Sequence, residues 1–258
     1  MDLELDGSVV IVTGGSDGLG AALAERLVTE GASVAICARG AERLEATAAH
    51  LTLLGGDVLA VPADVTEPAA VEDLVARVEQ RWGRCDAVVN NAGTAAASRF
   101  EKITDEQWHD DLDLKLLGAT RTTRAALPLL RRHGGAVLNV LAIAGKAPTG
   151  GSMPSSVSRA AGLAMTKALA GELAGDAVRV NALLVGLIES GQWRRRAESR
   201  GVPVQQLHDE LVELAGVPLG RFGRSEEFAD LAAFLVSPRA AYVTGTAINL
   251  DGGLSPVT

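Results

Sequence analysis

Apolar runs alternate with amphipathic stretches along almost the whole chain. The apolar runs predict seven strands, at residues 9–12, 32–38, 57–62, 86–90, 135–141, 178–184 and 246–250. The intervening stretches predict helices from Ala21 onward and over residues 41–54, 68–82, 104–133, 153–174 and 225–235. Strands that alternate with helices of this length form right-handed crossovers. The pattern therefore predicts an α/β fold, a single domain built on a doubly wound parallel sheet of about seven strands.

Two segments interrupt this regular alternation. Pro128 lies inside the long helical region, and its missing amide predicts a bend near the end of that helix. Residues 191–216 are polar and helix-prone, and they form an insertion between the sixth strand and the last helix. In a doubly wound sheet, ligands bind beyond the carboxyl ends of the strands, where the winding reverses. The residues that follow each strand are therefore the candidates for binding and catalysis.

The first strand leads into a glycine-rich stretch, TGGSDGLG at residues 13–20, and then into a helix. In this context glycines let the backbone turn tightly and approach a pyrophosphate, whose charge lies at the positive end of the helix. An ordinary turn with close helix packing is the alternative, but the spacing on a strand favours dinucleotide binding. Asp17 acts in the opposite direction, because a carboxylate beside this loop repels a phosphate. The predicted cofactor contacts in the loop are Thr13, Gly14, Ser16, Asp17, Gly18, Leu19 and Gly20.

The ends of the next three strands refine the cofactor prediction. Strand two ends in Ala38-Arg39, without the carboxylate that would bind the adenosine ribose and repel a 2′-phosphate. Arg39 offers that phosphate a bidentate partner, so NADP(H) is favoured over NAD(H). The alternative is that Arg39 is an ordinary solvated residue at the start of the helix. Asp64, followed by Val65, is predicted to meet the adenine amino group. Small and polar residues that suit close approach by a ribose follow strand four, namely Asn91, Ala92 and Gly93.

The composition is that of an ordinary globular protein, and it narrows the classes of partner. A formal net charge of −8 argues against nucleic acid and anionic membrane surfaces. We find neither an export signal nor the run of roughly 20 apolar residues that a membrane span needs. Cys37 and Cys85 lie in apolar runs and are predicted to be buried thiols, which favours a cytoplasmic location. The histidines lack metal-ligand spacing, so we predict no metal site and a surface position for His50, His109, His133 and His208.

These motifs resemble the short-chain dehydrogenase/reductase family over essentially the whole chain. The motifs are TGGSDGLG, DVT at residues 64–66, NNAG at 90–93, LNVLAIAG at 138–145, RVNALLVG at 179–186 and VTGTAINLDGG at 243–253. The resemblance implies one Rossmann-like domain that uses NAD(H) or NADP(H) to oxidise alcohols or reduce carbonyls. It also implies a substrate lid around residues 187–220 and cofactor contacts at Gly186 and Ile188. Family members are often dimers or tetramers, and the Ala- and Leu-rich long helices here favour a homodimer or homotetramer.

The chain departs from the family pattern at all four catalytic positions. The family's Ser, Tyr, Lys and Asn align with Ala142, Ser155, Arg159 and Lys115, respectively. A serine hydroxyl has a far higher pKa and a shorter reach than a tyrosine, so Ser155 does not simply inherit its role. Arg159 keeps a positive charge and donors that suit the nicotinamide ribose. Lys115, crowded by Arg159 and a cationic ring, has its pKa pushed down and is predicted to meet the substrate oxygen, with Ser155 as an auxiliary donor.

Two functional classes follow from this altered set. The first is an oxidoreductase that acts on a small-molecule carbonyl or alcohol. The second is a dinucleotide-binding protein without turnover, a redox sensor or an assembly subunit, in which Lys115 and Arg159 are merely tolerated. The basic run WRRR at residues 193–196, with Arg200, lies in the predicted lid. It indicates either an acidic substrate or a solvated helix face.

Overall fold

Seven parallel strands form the central sheet of the computed structural model, which describes residues 1–258. They are β1 (Val9–Thr13), β2 (Ser33–Ala38), β3 (Val58–Pro62), β4 (Ala87–Asn90), β6 (Gly135–Ala142), β8 (Val178–Val185) and β9 (Ala247–Leu250). Their order is β3-β2-β1-β4-β6-β8-β9, so the winding reverses at β1, which pairs with both β2 and β4. The predicted single-domain, doubly wound parallel sheet is confirmed, and each predicted strand overlaps an observed one.

Helices cover both faces of the sheet, as crossovers between parallel strands require. On one face lie α1 (Gly18–Thr29), α2 (Ala41–Leu53) and α9 (Ser225–Val236), and on the other lie α3 (Pro68–Trp82), α5 (Gly118–His133) and α6 (Ser155–Glu172). Successive residues of β1 point to opposite cores, with Val10 in the first and Ile11 in the second. Both cysteines are buried as predicted. None of the helices has the length and apolar character needed to cross a bilayer.

The long helix predicted over residues 104–133 is divided in the structure. It consists of α4 (Asp105–Leu112), a π-helical segment (Asp113–Leu117) and α5, which runs through Pro128 without ending. The π-helical hydrogen bonding thus lies at residues 113–117, while α5 continues through Pro128, where we predicted a bend. A π-helical segment carries one extra residue per turn, and such segments occur frequently at functional sites. This one carries Lys115 into the interior.

Two further features were not resolved by the sequence pattern. The polar insertion forms two helices, α7 (Gly191–Arg200) and α8 (Val204–Ala215), separated where Gly201 adopts a left-handed conformation. A pair of short antiparallel strands, β5 (Ala97–Ser98) and β7 (Met153–Pro154), joins the loop after β4 to the start of α6. This pairing fixes the first turn of α6 beside the carboxyl end of β4.

Candidate active site

The glycine loop between β1 and α1 is shaped by contacts that exclude side chains. A methyl group at Gly20 would lie 2.3 Å from the carbonyl oxygen of Gly14, and one at Gly15 would lie 2.7 Å from the Ile36 side chain. Gly14 and Gly18 have φ angles of 68° and 54°, a region that favours glycine. Helix α1 begins directly at Gly18, whose amide is capped by Asp17, so the amides that follow it in the first turn are left for a ligand above the loop. The loop therefore has the form that a dinucleotide pyrophosphate needs.

The other predicted loop residues hold the glycine loop in this shape through hydrogen bonds and packing. The Thr13 hydroxyl accepts hydrogen bonds from the amides of Asn91 and Ala92, at 3.0 Å each. The side-chain Nδ2 of Asn91 donates to the backbone carbonyl of Thr13 at 2.9 Å. Ser16 is tied to α2 by its carbonyl, which accepts from the Thr47 hydroxyl at 3.2 Å, and Leu19 packs against the core. These bonds lock the ends of β1 and β4 together at the point where the winding reverses.

A buried hydroxyl without a partner lies on the other side of the glycine loop. The Ser190 oxygen is buried and makes no hydrogen bond, and the Ser190 Cβ lies 3.1 Å from the position of a Cβ on Gly18. Buried polar atoms are nearly always paired in native proteins, so an orphaned hydroxyl here fits a ligand that supplies the missing partner. Together with the glycine cradle, it shows that the residues present fit a dinucleotide phosphate.

The predicted adenosine contacts lie at the ends of β2 and β3. Arg39 is 68% exposed, and its guanidinium lies 3.9 Å from the Asp64 carboxylate. The other oxygen of Asp64 accepts from the amide and hydroxyl of Thr66, at 3.0 and 2.8 Å. Val65 is buried beneath this turn, against the position where Gly118 begins α5. Arg39 is thus free to turn toward an anion at the edge of the cleft.

The residues implied as cofactor contacts at the end of β8 are closely packed. Gly186 packs against Asp251, where a methyl group would approach the Asp251 Cβ to 2.7 Å. The Ile188 side chain is buried in the core, and its backbone bridges to Gly223. The Ile188 side chain is therefore closed to a ligand, whereas the Leu187 side chain between these two residues is partly exposed.

Four polar side chains meet below the carboxyl ends of β4 and β6. Lys115 forms an ion pair with Asp111, and the two side chains are only 1% and 2% exposed. The Lys115 ammonium donates to the Ser155 hydroxyl at 2.5 Å, and the second Asp111 oxygen accepts from the Ser158 hydroxyl at 2.6 Å. Ser155 lies partly exposed at the edge of this group, whereas Lys115 lies behind it. We refer to Asp111, Lys115, Ser155 and Ser158 as the polar quartet.

The Ser155 hydroxyl is held by backbone as well. It accepts from the Ala96 amide at 3.1 Å and reaches the Ala96 carbonyl at 3.0 Å, next to the short strand β5. It also lies 3.3 Å from an Asp111 oxygen. A hydroxyl with an ammonium donor behind it and several alternative acceptors has the connections of a proton-transfer group.

Arg159 extends one turn further along α6 and crosses to the ends of the strands. Its Nη1 donates to the Val140 carbonyl at 2.8 Å, and its Nη2 lies 2.7 Å from the position of a Cβ on Gly93. Glycine at position 93 is therefore needed for the guanidinium to fit. Burial lowers the pKa of Arg159 to about 10, so the group stays charged at neutral pH. The predicted residues Gly93, Lys115, Ser155 and Arg159 are brought together.

The charges of this group affect one another. Burial lowers the pKa of Lys115 below its ordinary value, and the Arg159 charge adds to this effect while Asp111 opposes it. The direction of this pKa shift agrees with the prediction for Lys115, but its main cause is burial rather than the neighbouring positive charge. Ala142, at the end of β6, adds no hydroxyl, and Tyr242 is fully exposed, outside the polar quartet.

Sequence reasoning missed Asp111 and misplaced His208. Asp111 stands four residues before Lys115, a spacing that usually indicates an exposed pair on a helix, yet both side chains are buried. His208 is buried rather than on the surface, and its ring stacks on Phe222 with centroids 3.9 Å apart. The amphipathic pattern of α8 did not indicate that His208 is buried, because Phe222, on which its ring stacks, lies in the loop before α9.

Known sequences match almost the whole chain. A sequence model of the family described as enoyl-(acyl carrier protein) reductase matches residues 14–255. A putative ketoacyl reductase of Streptomyces coelicolor is 35% identical over 256 residues, covering 96% of this chain and 97% of the relative. The chain belongs to the short-chain dehydrogenase/reductase family. A further member, a 3-oxoacyl-(acyl carrier protein) reductase of Thermotoga maritima, is 32% identical and covers 98% of this chain and 99% of its own length.

Solved structures of other short-chain dehydrogenases/reductases superpose closely on this one. The L-sorbose reductase of Gluconobacter frateurii, in complex with NADPH and L-sorbose, has a TM-score of 0.95 at 33% identity, with both chains covered fully. An NADPH-bound short-chain oxidoreductase of Pseudomonas aeruginosa PAO1, which contains an atypical catalytic centre, has a TM-score of 0.93 at 38% identity. The match covers 98% of this chain and 99% of that one.

Proposed function

We propose that this chain is an NADP(H)-dependent oxidoreductase that interconverts a carbonyl and an alcohol with an altered set of catalytic residues. The observation that carries the proposal is the 2.5 Å contact between the buried Lys115 ammonium and the partly exposed Ser155 hydroxyl. In this arrangement Ser155 meets the substrate oxygen and Lys115 supports it from behind, the reverse of the order predicted from sequence. A relative with NADPH bound and an atypical catalytic centre supports the cofactor and the departure from the family pattern.

Residues at the glycine loop, at the end of β2 and on α6 would hold the cofactor. When bound, a reduced nicotinamide supplies the hydride. The phosphates would lie over the glycine loop, with Gly18 and Ser190 on either side. Arg39 would take the 2′-phosphate. Arg159 would hold the nicotinamide ribose through Nη2, because Nη1 is used by Val140.

The chain's own residues move the proton. The Ser155 O–H bond breaks as its proton passes to the substrate oxygen, and an N–H of Lys115 then passes its proton to the Ser155 oxygen. Lys115 becomes neutral in this step, which its lowered pKa favours. Asp111 and Arg159, which flank Lys115, remain as an oppositely charged pair in the site. After release of the alcohol, solvent returns the proton through the Ser155 hydroxyl. General acid catalysis of this kind is worth about 10²–10⁴-fold in rate.

We take 3-oxoacyl thioesters as the first substrate class to test, because curated relatives are ketoacyl reductases. The experiment follows the reduced-nicotinamide absorbance with a panel of 3-oxoacyl thioesters, ketoses and simple ketones. Binding of NADPH is measured separately by fluorescence titration. Lys115→Met should lower kcat at least tenfold and leave NADPH affinity nearly unchanged. Arg159→Met should lower kcat and also weaken NADPH binding.

The outcomes separate the proposal from its alternative. NADPH binding without turnover of any panel member would favour a dinucleotide-binding protein that has lost catalysis. Turnover by Lys115→Met at the wild-type rate would remove Lys115 from the mechanism. Absence of dinucleotide binding would contradict both functional classes.

A further inference from the structure

Three arginines from two helices surround one carboxylate beside the glycine loop. Asp17 caps α1 by accepting from the Gly18 amide at 2.7 Å. Its second oxygen accepts from Arg195 at 2.7 Å and lies 3.8 Å from Arg43, while Arg194 lies 3.6 Å from the first. We refer to Arg43, Arg194 and Arg195 as the arginine cluster. Arg43 comes from α2, and the other two come from α7 in the predicted lid.

The cluster carries more positive charge than its carboxylate can balance. One carboxylate faces three guanidinium groups, so this corner has a local charge of about +2 in a chain whose formal net charge is −8. Only Arg195 lies at normal hydrogen-bond distance from Asp17. The three side chains are 56–68% exposed, so they can rotate toward a second anion. Arg200, further along α7, is instead paired with Glu210 at 2.9 Å.

Close packing holds the arginine cluster beside the glycine loop. A methyl group at Gly191, the first residue of α7, would lie 1.9 Å from an Asp17 oxygen. Ser190, immediately before it, carries the buried hydroxyl without a partner. The start of α7 therefore contacts the glycine loop directly, and both the orphaned hydroxyl and the excess charge lie beside the loop over which dinucleotide phosphates are proposed to lie.

We propose that the arginine cluster is a phosphate site for the dinucleotide, and that Asp17 holds its arginines in place and competes with the phosphate for them. This inference rests on the proposed NADP(H) binding and assigns further residues to it. A phosphate that displaces Asp17 from Arg195 would be bound by residues of α2 and α7 together. Cofactor binding would then fix the position of the predicted lid, because α7 supplies two of the three ligands.

The experiment measures dissociation constants of NADPH and NADH for the whole chain by fluorescence titration at two salt concentrations. Arg195→Ala should weaken NADPH binding at least tenfold and reduce its salt dependence, since a charge-assisted contact is lost. Arg196→Ala is the matched control, because Arg196 is the next residue on α7 and lies over the Trp193 ring rather than on Asp17. Asp17→Asn keeps an acceptor for the Gly18 amide but removes the competing charge, so it should strengthen NADPH binding several-fold. Circular dichroism and thermal unfolding verify that each variant is folded.

The two nucleotides distinguish the source of the phosphate. Weakened binding of NADPH alone assigns the cluster to the 2′-phosphate, and equal weakening of both nucleotides assigns it to the pyrophosphate; either result supports the inference. If the wild type binds NADPH and Arg195→Ala binds it equally well, the inference is overturned while the proposed function stands. If folded Asp17→Asn binds NADPH more weakly than the wild type, the proposed competition between Asp17 and the phosphate is overturned. A wild type that binds neither nucleotide would overturn the proposed function, and this inference with it.

Discussion

The buried ion pair between Lys115 and Asp111 makes a sharp prediction about stability. Replacing one member of a buried pair leaves the other charge uncompensated, at a cost of about 3–5 kcal/mol. After Lys115→Met, Asp111 still accepts from Ser158 at 2.6 Å, so we expect the lower end, about 3 kcal/mol. After Asp111→Asn, the Lys115 ammonium keeps only neutral partners and the repulsion of Arg159, so we expect the upper end, about 5 kcal/mol.

The double variant isolates the interaction. Asp111→Leu combined with Lys115→Met removes both buried charges. Its free energy of unfolding should lie within about 2 kcal/mol of the wild-type value, because an apolar pair avoids the desolvation penalty. Free energies of unfolding come from urea denaturation followed by circular dichroism at one fixed protein concentration. The matched control is Arg77→Ala, which breaks an exposed pair with Asp73 at the same four-residue spacing. It should cost under about 1 kcal/mol.

Two results would refute this reasoning. If Lys115→Met and Asp111→Asn cost no more than Arg77→Ala, the pair is not held in a dry interior. If the double variant is as unstable as the sum of Lys115→Met and Asp111→Leu measured separately, the two charges do not compensate each other.

Three further predictions concern the cofactor, the lid and the assembly. Arg39→Ala should weaken NADPH binding by about 1–3 kcal/mol and NADH binding much less; equal losses in titrations of both would remove Arg39 from the 2′-phosphate site. Hydrogen bonds from Arg221 and the Arg224 amide lower the pKa of Glu227 to about 2 from an ordinary 4.5, so its stabilising effect is complete above pH 4.5 and is lost as the pH falls through 2. Acid unfolding of Glu227→Gln should lack this contribution, and identical acid profiles would contradict it. Leu117, the last residue of the π-helical segment, and Val157, on α6, are 44% and 43% exposed, so we predict a dimer or a twofold-symmetric tetramer; a monomer by light scattering at micromolar concentration would exclude it.

The sheet was predictable because parallel strands are buried on both faces and appear in sequence as continuous apolar runs. The glycine loop was predictable for a similar reason, since its spacing follows from the turn it must make. The π-helical segment at residues 113–117 was not, because one extra residue in a turn leaves the helical pattern almost unchanged.

The polar quartet shows where the sequence signal ends. Lys115, Ser155 and Arg159 were identifiable by their places in the motifs, but their order toward the substrate depends on burial. Asp111 was missed because a charged pair four residues apart is ordinary on an exposed helix. The basic run on α7 could be noted but not assigned, since its contact with Asp17 joins residues 178 positions apart.

The central claim is that the Ser155 hydroxyl, supported by Lys115, gives the substrate its proton. The measurement that tests it most directly is kcat of Ser155→Ala against Ser156→Ala on a substrate verified with the wild type. Ser156 is the next residue of α6, is buried, and has no side-chain bond to Lys115 or Asp111. We predict that Ser155→Ala loses about 10²–10⁴-fold in kcat with NADPH affinity unchanged, while Ser156→Ala stays close to the wild type. Equal kcat values for Ser155→Ala and the wild type would contradict the account.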